Sequence, residues 1–283
     1  MEKYDGPILD DHLHLDPRGE GPEALRAFAK EGGTHVVVVH KPYRESPVSV
    51  GRDFATSFDV TLDLARRARE QTGLGVLVAV GPYPVEYIRL GETLGPVAAE
   101  EAMLEGMEAA AALVREGRAN AIGEIGRPHF DVPFEVMEAS NRILLEGMKM
   151  AARAGCPVVL HTESATPKNC AEFAAMADRA GLPRGKVVKH FCGPLVDESL
   201  NSGIFPSVLG SRENILQAAR QGPRFLMETD FLDDPERPGA VMGVRTVPRR
   251  THMLLDMGLV PPEKMCVIHK DNPEKLYGVS MDR

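Results

Sequence analysis

Two histidines one residue apart, His12 and His14, end the run Ile8-Leu9-Asp10-Asp11-His12-Leu13-His14. On a β-strand, residues i and i+2 share a face, so both imidazoles aim at one point. Neutral imidazole is a common ligand for zinc and related ions, and such a pair is half of a metal site. Glu124, His161, His190 and Asp230 offer the other half, because each stands at the end of a short apolar run. Six ligand-type side chains exceed what one tetrahedral ion takes. A pair of divalent ions fits better, with His12, His14 and Asp230 on one, His161 and His190 on the other, and Glu124 between them. Two such ions stabilise both the attacking and the leaving oxygen of a displacement, and Asp230 is placed to accept the proton of the attacking water. Imidazole-rich coordination puts zinc first, with manganese, iron, cobalt or nickel as alternatives, ahead of magnesium.

These side chains need a scaffold that gathers five strand ends. Apolar runs at 8–14, 35–40, 75–81, 119–126, 157–161, 187–191, 204–209 and 224–230 read as strands. Helical stretches at 21–32, 54–72, 97–118, 134–154 and 170–180 lie between them. Four consecutive valines, Val36, Val37, Val38 and Val39, mark a strand buried on both faces. Pro206 makes the seventh run the weakest. Eight strands alternating with helices predict a (β/α)8 TIM barrel, one domain over residues 1–283, with an open doubly wound sheet as the alternative. Barrels place chemistry at the C-terminal ends of their strands, where the six residues fall. The tail Asn272-Pro273-Glu274-Lys275-Leu276-Tyr277-Gly278 predicts a short helix with Asn272 as N-cap, Pro273 at its first position and Gly278 just past its end.

Composition narrows the function classes. The chain has 283 residues, 43% hydrophobic and 26% charged, the balance of a globular protein with a sizeable core. A net charge of −8 argues against a surface that coats nucleic acid non-specifically. Cys156, Cys170, Cys192 and Cys266 form no C-x-x-C pair and read as reduced thiols. The start, Met1-Glu2-Lys3-Tyr4-Asp5, is polar without the apolar run of a leader, and no stretch is long and apolar enough to span a membrane. A cytoplasmic location without membrane partners is the expectation; composition leaves the oligomeric state open.

The order His-x-His, Gly123-Glu124-Ile125-Gly126, His161, His190 and Glu228-Thr229-Asp230, closed by Asn-Pro-x-x-Leu-Tyr-Gly, resembles the TatD family of metal-dependent hydrolases within the amidohydrolase superfamily. The resemblance runs from Asp10 to Gly278. It implies a barrel, a two-metal site on the six residues named, and hydrolysis of phosphodiesters, often DNA. Two segments depart from the family pattern. Gly81-Pro82-Tyr83-Pro84 replaces a Gly-x-His-Pro turn, and His161-Thr162-Glu163 replaces His-x-Arg. An arginine at 163 could hold a phosphate, whereas Glu163 would repel one.

Arg127 and His129, directly after Glu124, are the candidates for binding an anionic group of a small-molecule or nucleic-acid substrate. His40, Lys41 and Arg44 after the second strand, and Arg237 and Arg245 after Asp230, are further candidates. Strand alternation turns Lys189 away from the site. His35 belongs to the opposite end of the barrel. The reading is a divalent-metal-dependent hydrolase acting on phosphodiester bonds. Its rivals are an amide, ester or lactone hydrolase on the same site, and a nucleic-acid-binding module with a structural metal.

Overall fold

The computed structural model describes residues 4–282; Met1, Glu2 and Lys3 of the polar start lie outside them. The chain begins with β1 (Leu9–His14), α1 (Ala24–Lys30), β2 (His35–Val39), α2 (Asp53–Thr72), β3 (Gly75–Val80), α3 (Glu86–Leu94) and α4 (Pro96–Arg115). It continues through β4 (Ala121–Gly126), α5 (Phe134–Ala154), β5 (Val158–His161), α6 (Pro167–Ala180), β6 (Val187–Lys189), α7 (Glu198–Asn201), β7 (Phe205–Leu209) and α8 (Arg212–Gln221). It ends with β8 (Leu226–Glu228), β9 (Phe231–Leu232), α9 (Thr246–Asp256), α10 (Pro262–Cys266) and α11 (Asn272–Tyr277). This is an α/β fold with a curled, nine-stranded parallel sheet in the order β8-β7-β6-β5-β4-β3-β2-β1-β9. None of the helices among the described residues is long and apolar enough to cross a membrane.

Nine strands stand where eight were expected: β8 fills only Leu226–Glu228 of the run at 224–230, and β9 follows just beyond that run. Thr229 gives its N–H to the Asp10 carboxylate at 2.9 Å, and Asp230 adopts a left-handed backbone with φ 49. The ladder with β7 therefore stops at Glu228, and pairing with β1 starts at Phe231. Pro206 did not prevent β7 from pairing with β6.

The strands divide the core into layers. Val36, Val38, Val78 and Leu160 pack with the helices on one face of the sheet. Leu9, Val37, Val39, Leu77 and Ala79 pack on the other face, closed off by Leu276 and Tyr277 of α11. Leu9 and Leu13 lie four apart on β1, a spacing that keeps one face in a regular strand, yet they belong to different layers. An irregularity explains this: Asp10 and Leu13 pair with Val36 and Val38, so β1 carries one residue more than β2. A bulge of this kind re-aims the side chains that follow it, here the two histidines.

Two expectations for histidine and asparagine change. His40 is not a substrate contact: it is buried, with Nδ1 2.8 Å from Thr61 Oγ1 and its ring against Tyr43 and Phe58. Asn272 is not an N-cap. A π-helical turn, Val267–Asp271, makes α10 and α11 one continuous helix, and the Asn272 amide instead donates to the carbonyls of Pro223 at 2.8 Å and Phe225 at 3.0 Å. Gly278 ends the helix in the left-handed conformation as expected. Helices α3, α7, α8 and α10 were not read from the sequence; α7 has only four residues and α10 five, too few for a periodic pattern.

At the N-terminal end of β1, His269 Nδ1 accepts from Leu9 N at 3.2 Å, and its Nε2 lies 2.8 Å from Thr251 Oγ1. A proton on Nδ1 would face the Leu9 N–H, so the buried ring is held neutral.

The Asn272→Asp variant tests the role assigned to that amide. A cap tolerates aspartate, whereas two buried carbonyls left without donors cost about 1–3 kcal/mol; an unchanged urea midpoint would restore the capping role. Burial pushes His269 and His40 down from 6.5 to about 3. As pH falls below 6.5 the unfolded chain takes protons that the folded one refuses. The stability contributed by these neutral rings is therefore full above 6.5 and is lost on the way to 3. Between pH 7 and pH 5 the loss is about 2 kcal/mol per histidine. His269→Gln should flatten the slope of unfolding free energy against pH, and an identical slope would remove His269 from the titration.

Candidate metal centre

Five of the six predicted ligands converge at the C-terminal ends of the strands. The ligand atoms of His12, His14 and Asp230 lie within 4.8 Å of one another, and so do those of His12, Glu124 and His190. His12 Nε2 is 3.3 Å from His14 Nε2 and 3.4 Å from Glu124 Oε1. Asp230 Oδ1 is 3.5 Å from His14 Nε2, and His190 Nε2 is 3.6 Å from Glu124 Oε1. The first trio is the one expected for one ion. The second has His12 where His161 was expected. His161 belongs to neither trio, but its Nδ1 lies 3.1 Å from Glu124 Oε1.

The backbone explains this convergence. As in β1, one extra residue enters β4: Gly123 and Ile125 pair with the adjacent residues Val159 and Leu160. Glycine is required on both sides of Glu124. A Cβ on Gly123 would come within 2.6 Å of Val159 Cβ, and one on Gly126, at φ 149, within 2.1 Å of the His161 carbonyl oxygen. The Gly-Glu-Ile-Gly segment thus fits one carboxylate between two tightly packed strands.

Outer partners set the faces of the imidazoles. His14 Nδ1 lies 2.9 Å from the Val39 carbonyl, which can only accept, so the proton sits on Nδ1 and the Nε2 lone pair faces the cluster. His161 keeps Nδ1 inward, because its Nε2 faces His129 Nδ1 at 2.9 Å and the Tyr83 hydroxyl at 3.3 Å. His190 Nδ1 lies 3.0 Å from Glu228 Oε1, which also accepts from Phe191 N at 2.8 Å.

Burial alone would push Glu124 up, but His161, His12 and His190 outweigh it and hold the carboxyl well below its usual range. Burial, reinforced by the neighbouring His190, holds His12 well below the ordinary histidine value. Burial also disfavours charge on His190, yet Glu228, Asp230 and Glu124 together raise it to about 9. The cluster is therefore an electron-rich pocket that favours cations.

The predicted substrate contacts fare differently. Arg127 is buried, and its guanidinium reaches Glu163 at 3.1 Å and Glu172 at 3.1 Å while lying over the Phe173 ring. The guanidinium expected to receive an anion is thus engaged by two carboxylates, and the Glu163 expected to repel a phosphate is one of them. His129 is exposed and reaches the cluster only through His161. Lys41 and Arg237 line a cavity of about 410 Å³ together with His14, Glu124, His190 and Asp230. Lys41 is paired with Asp16 at 2.5 Å and Arg237 with Asp234 at 3.2 Å. Arg44 pairs with Glu236 instead. Lys189 is fully buried and donates to the His190 carbonyl.

Sequence reasoning missed Asp10, Tyr83, Glu228 and Thr229. Glu228 and Thr229 sat beside a recognised ligand, and a buried carboxylate two residues before Asp230 was the available signal.

A family model described as TatD related DNase matches residues 9–278. An uncharacterized protein of Methanocaldococcus jannaschii is 36% identical over 279 residues, spanning 98% of this chain and 97% of the relative. A solved TatD homolog of Escherichia coli K12 superposes with a TM-score of 0.66 at 24% identity, covering 96% of this chain and 98% of that one. A TatD-like protein of Archaeoglobus fulgidus superposes with a TM-score of 0.66 at 17% identity, covering 96% and 100%. These two structural likenesses establish the fold.

Carboxylates that orient ligand histidines typically contribute 10–100-fold in metal affinity. Glu228→Gln should therefore weaken zinc binding by about 10–100-fold in calorimetric titration while the protein stays folded. Unchanged affinity would mean that Glu228 serves only Phe191 N.

Proposed function

The chain belongs to the TatD related DNase family, and from that premise we propose that it is a divalent-metal-dependent hydrolase of phosphodiester bonds with a two-ion site. The observation that carries this reading is the convergence of His12, His14, His161 and His190 on the buried carboxylate of Glu124, with Asp230 facing His14 and His190. The donor set fits such ions: imidazoles with a nitrogen turned inward, two carboxylates, and no thiolate. His12, His14 and Asp230 would hold one ion, His190 and His161 the other, and Glu124 would touch both. Divalent ions there would activate a water and stabilise charge on the attacking and leaving oxygens.

The chain's own residues supply the rest. Asp230 Oδ1 and Oδ2 face different histidines, His14 at 3.5 Å and His190 at 3.9 Å, which leaves the carboxylate between the two halves of the cluster. A carboxylate there can take the proton of an attacking water. Lys41 and Arg237 line the same cavity, each paired with an aspartate, Asp16 and Asp234. The reading takes β8 and β9 as one strand interrupted at Thr229 and Asp230. That would close the sheet into an eight-stranded barrel, one domain over the chain, and the hydrogen bond from Asp230 N to the His12 carbonyl at 2.9 Å supports it. It keeps zinc as the first metal and a cytoplasmic location.

The test is a screen of phosphodiester, phosphomonoester, lactone and amide substrates with protein reconstituted in zinc, manganese or nickel. Turnover confined to lactones or amides would replace the phosphodiester reading by its rival.

Asp230→Asn keeps the size of the side chain and one oxygen for a metal, but it cannot take a proton. It should retain most of its metal and lose about 10²–10⁴-fold in turnover. Metal content and turnover measured on one preparation decide the matter: full metal with near wild-type turnover would remove Asp230 from the proton-accepting role.

A further inference from the structure

One side of the cluster carries an aromatic arc that runs through His161 and His190 and extends beyond them at both ends. Ring centroids run from Phe130 to His129 at 5.1 Å, on to His161 at 5.0 Å, to His190 at 6.0 Å and to Phe191 at 5.8 Å. The two ends are exposed: Phe130 by 46% and Phe191 by 43%. Single exposed apolar residues are ordinary on protein surfaces. Phe191 is not ordinary, because its backbone sits at φ 53, in the left-handed region that bulky side chains avoid. Both flanks hold it there, with Phe191 N bonded to Glu228 and Cys192 N to the Ser207 carbonyl at 2.9 Å. The strain is not repaid by burial of the ring. Phe191 instead forms a wall of a cavity of about 240 Å³ whose other walls include His129, Thr162, His190 and Asp230.

We propose that Phe191 is a stacking platform for a nucleobase of the substrate, held beside the cluster so that the adjoining phosphodiester meets the metals. The identity of that adjoining group rests on the phosphodiester reading. A π-face accepts any base, so the subsite confers preference for base-bearing strands without selecting sequence. Phe130 bounds the far end of the same arc.

The experiment uses zinc-loaded protein and two fluorescent single strands of equal length, one with bases and one abasic throughout. Binding is read by anisotropy and cleavage by gel. Stacking of a base is expected to make the wild type bind the base-bearing strand about 5- to 150-fold more tightly than the abasic strand. Phe191→Ala should bring that ratio close to one, and Phe191→Trp should preserve it, with metal content equal in all three proteins. If Phe191→Ala does not fold, Phe191→Leu, which keeps apolar bulk without a π-face, should reduce the ratio. A wild type that binds both strands equally overturns the proposal. So does a Phe191→Ala protein that loses affinity for both strands by the same factor. Preferential binding without cleavage by any metal form would uphold the subsite and sink the phosphodiesterase reading.

Discussion

The Asp10 carboxylate is the constraint on which the site depends. It is fully buried, and it accepts from Thr229 N at 2.9 Å, Thr229 Oγ1 at 2.7 Å and His12 N at 3.3 Å. These bonds join the first strand of the sheet to the junction between its last two. Burial pushes the Asp10 carboxyl up to about 7, while Thr229 and His12 pull against it through their hydrogen bonds. A buried carboxylate is tolerated only when its lone pairs are met, so Thr229 cannot be displaced without a large cost. With Thr229 fixed, Glu228 and Asp230 on either side have no freedom to slide. Glu228 turns toward His190, and Asp230 turns into the cluster. Three consecutive residues thus take three separate places: Glu228 beside a histidine, Thr229 tied to the first strand, and Asp230 facing the cluster.

This explains what could and could not be read from the sequence. The residues of the cluster were legible because each is a polar side chain at the end of an apolar run, and a fold that hides the run brings its end to the common rim. The irregularities in β1 and β4 were not legible, although they decide the outcome: one inserted residue in each strand turns His12 and Glu124 inward. Nor were the outer partners. The proton on His14 is fixed by the carbonyl of Val39, a contact that depends on the register between β1 and β2 and on no side-chain type. The end of β8 and the start of β9 flank the Asp10–Thr229 bond, whose two ends lie 219 residues apart.

Charges illustrate the same limit. Taken singly, Arg127 attracts an anion and Glu163 repels one. In the folded chain they are partners, with Glu172 as a second acceptor. Asn272 shows the backbone version of this. The string Asn-Pro followed by a glycine has the composition of a capped helix, but a π-helical turn carries the helix through it and frees the amide for two carbonyls near β8.

The distribution of buried charge gives these pairings a functional consequence. Asp11 and Glu228 lie fully buried next to the cluster, and each keeps one oxygen without a hydrogen-bond partner. Burial, together with Glu228 and Asp10, pushes Asp11 well above the usual carboxylate range, opposed by the Tyr277 hydroxyl at 2.7 Å. The interior under the site is therefore rich in acids, while the cations nearest to it are already engaged: Lys41 by Asp16, Arg127 by Glu163 and Glu172, Arg237 by Asp234. On the proposed two-ion reading, entering divalent cations would supply the positive charge that an anionic substrate needs here, so metal loading and anion binding would be coupled by one field. On that reading a glutamate at position 163 would not bar a phosphate, because the charge would come from the ions and not from the chain.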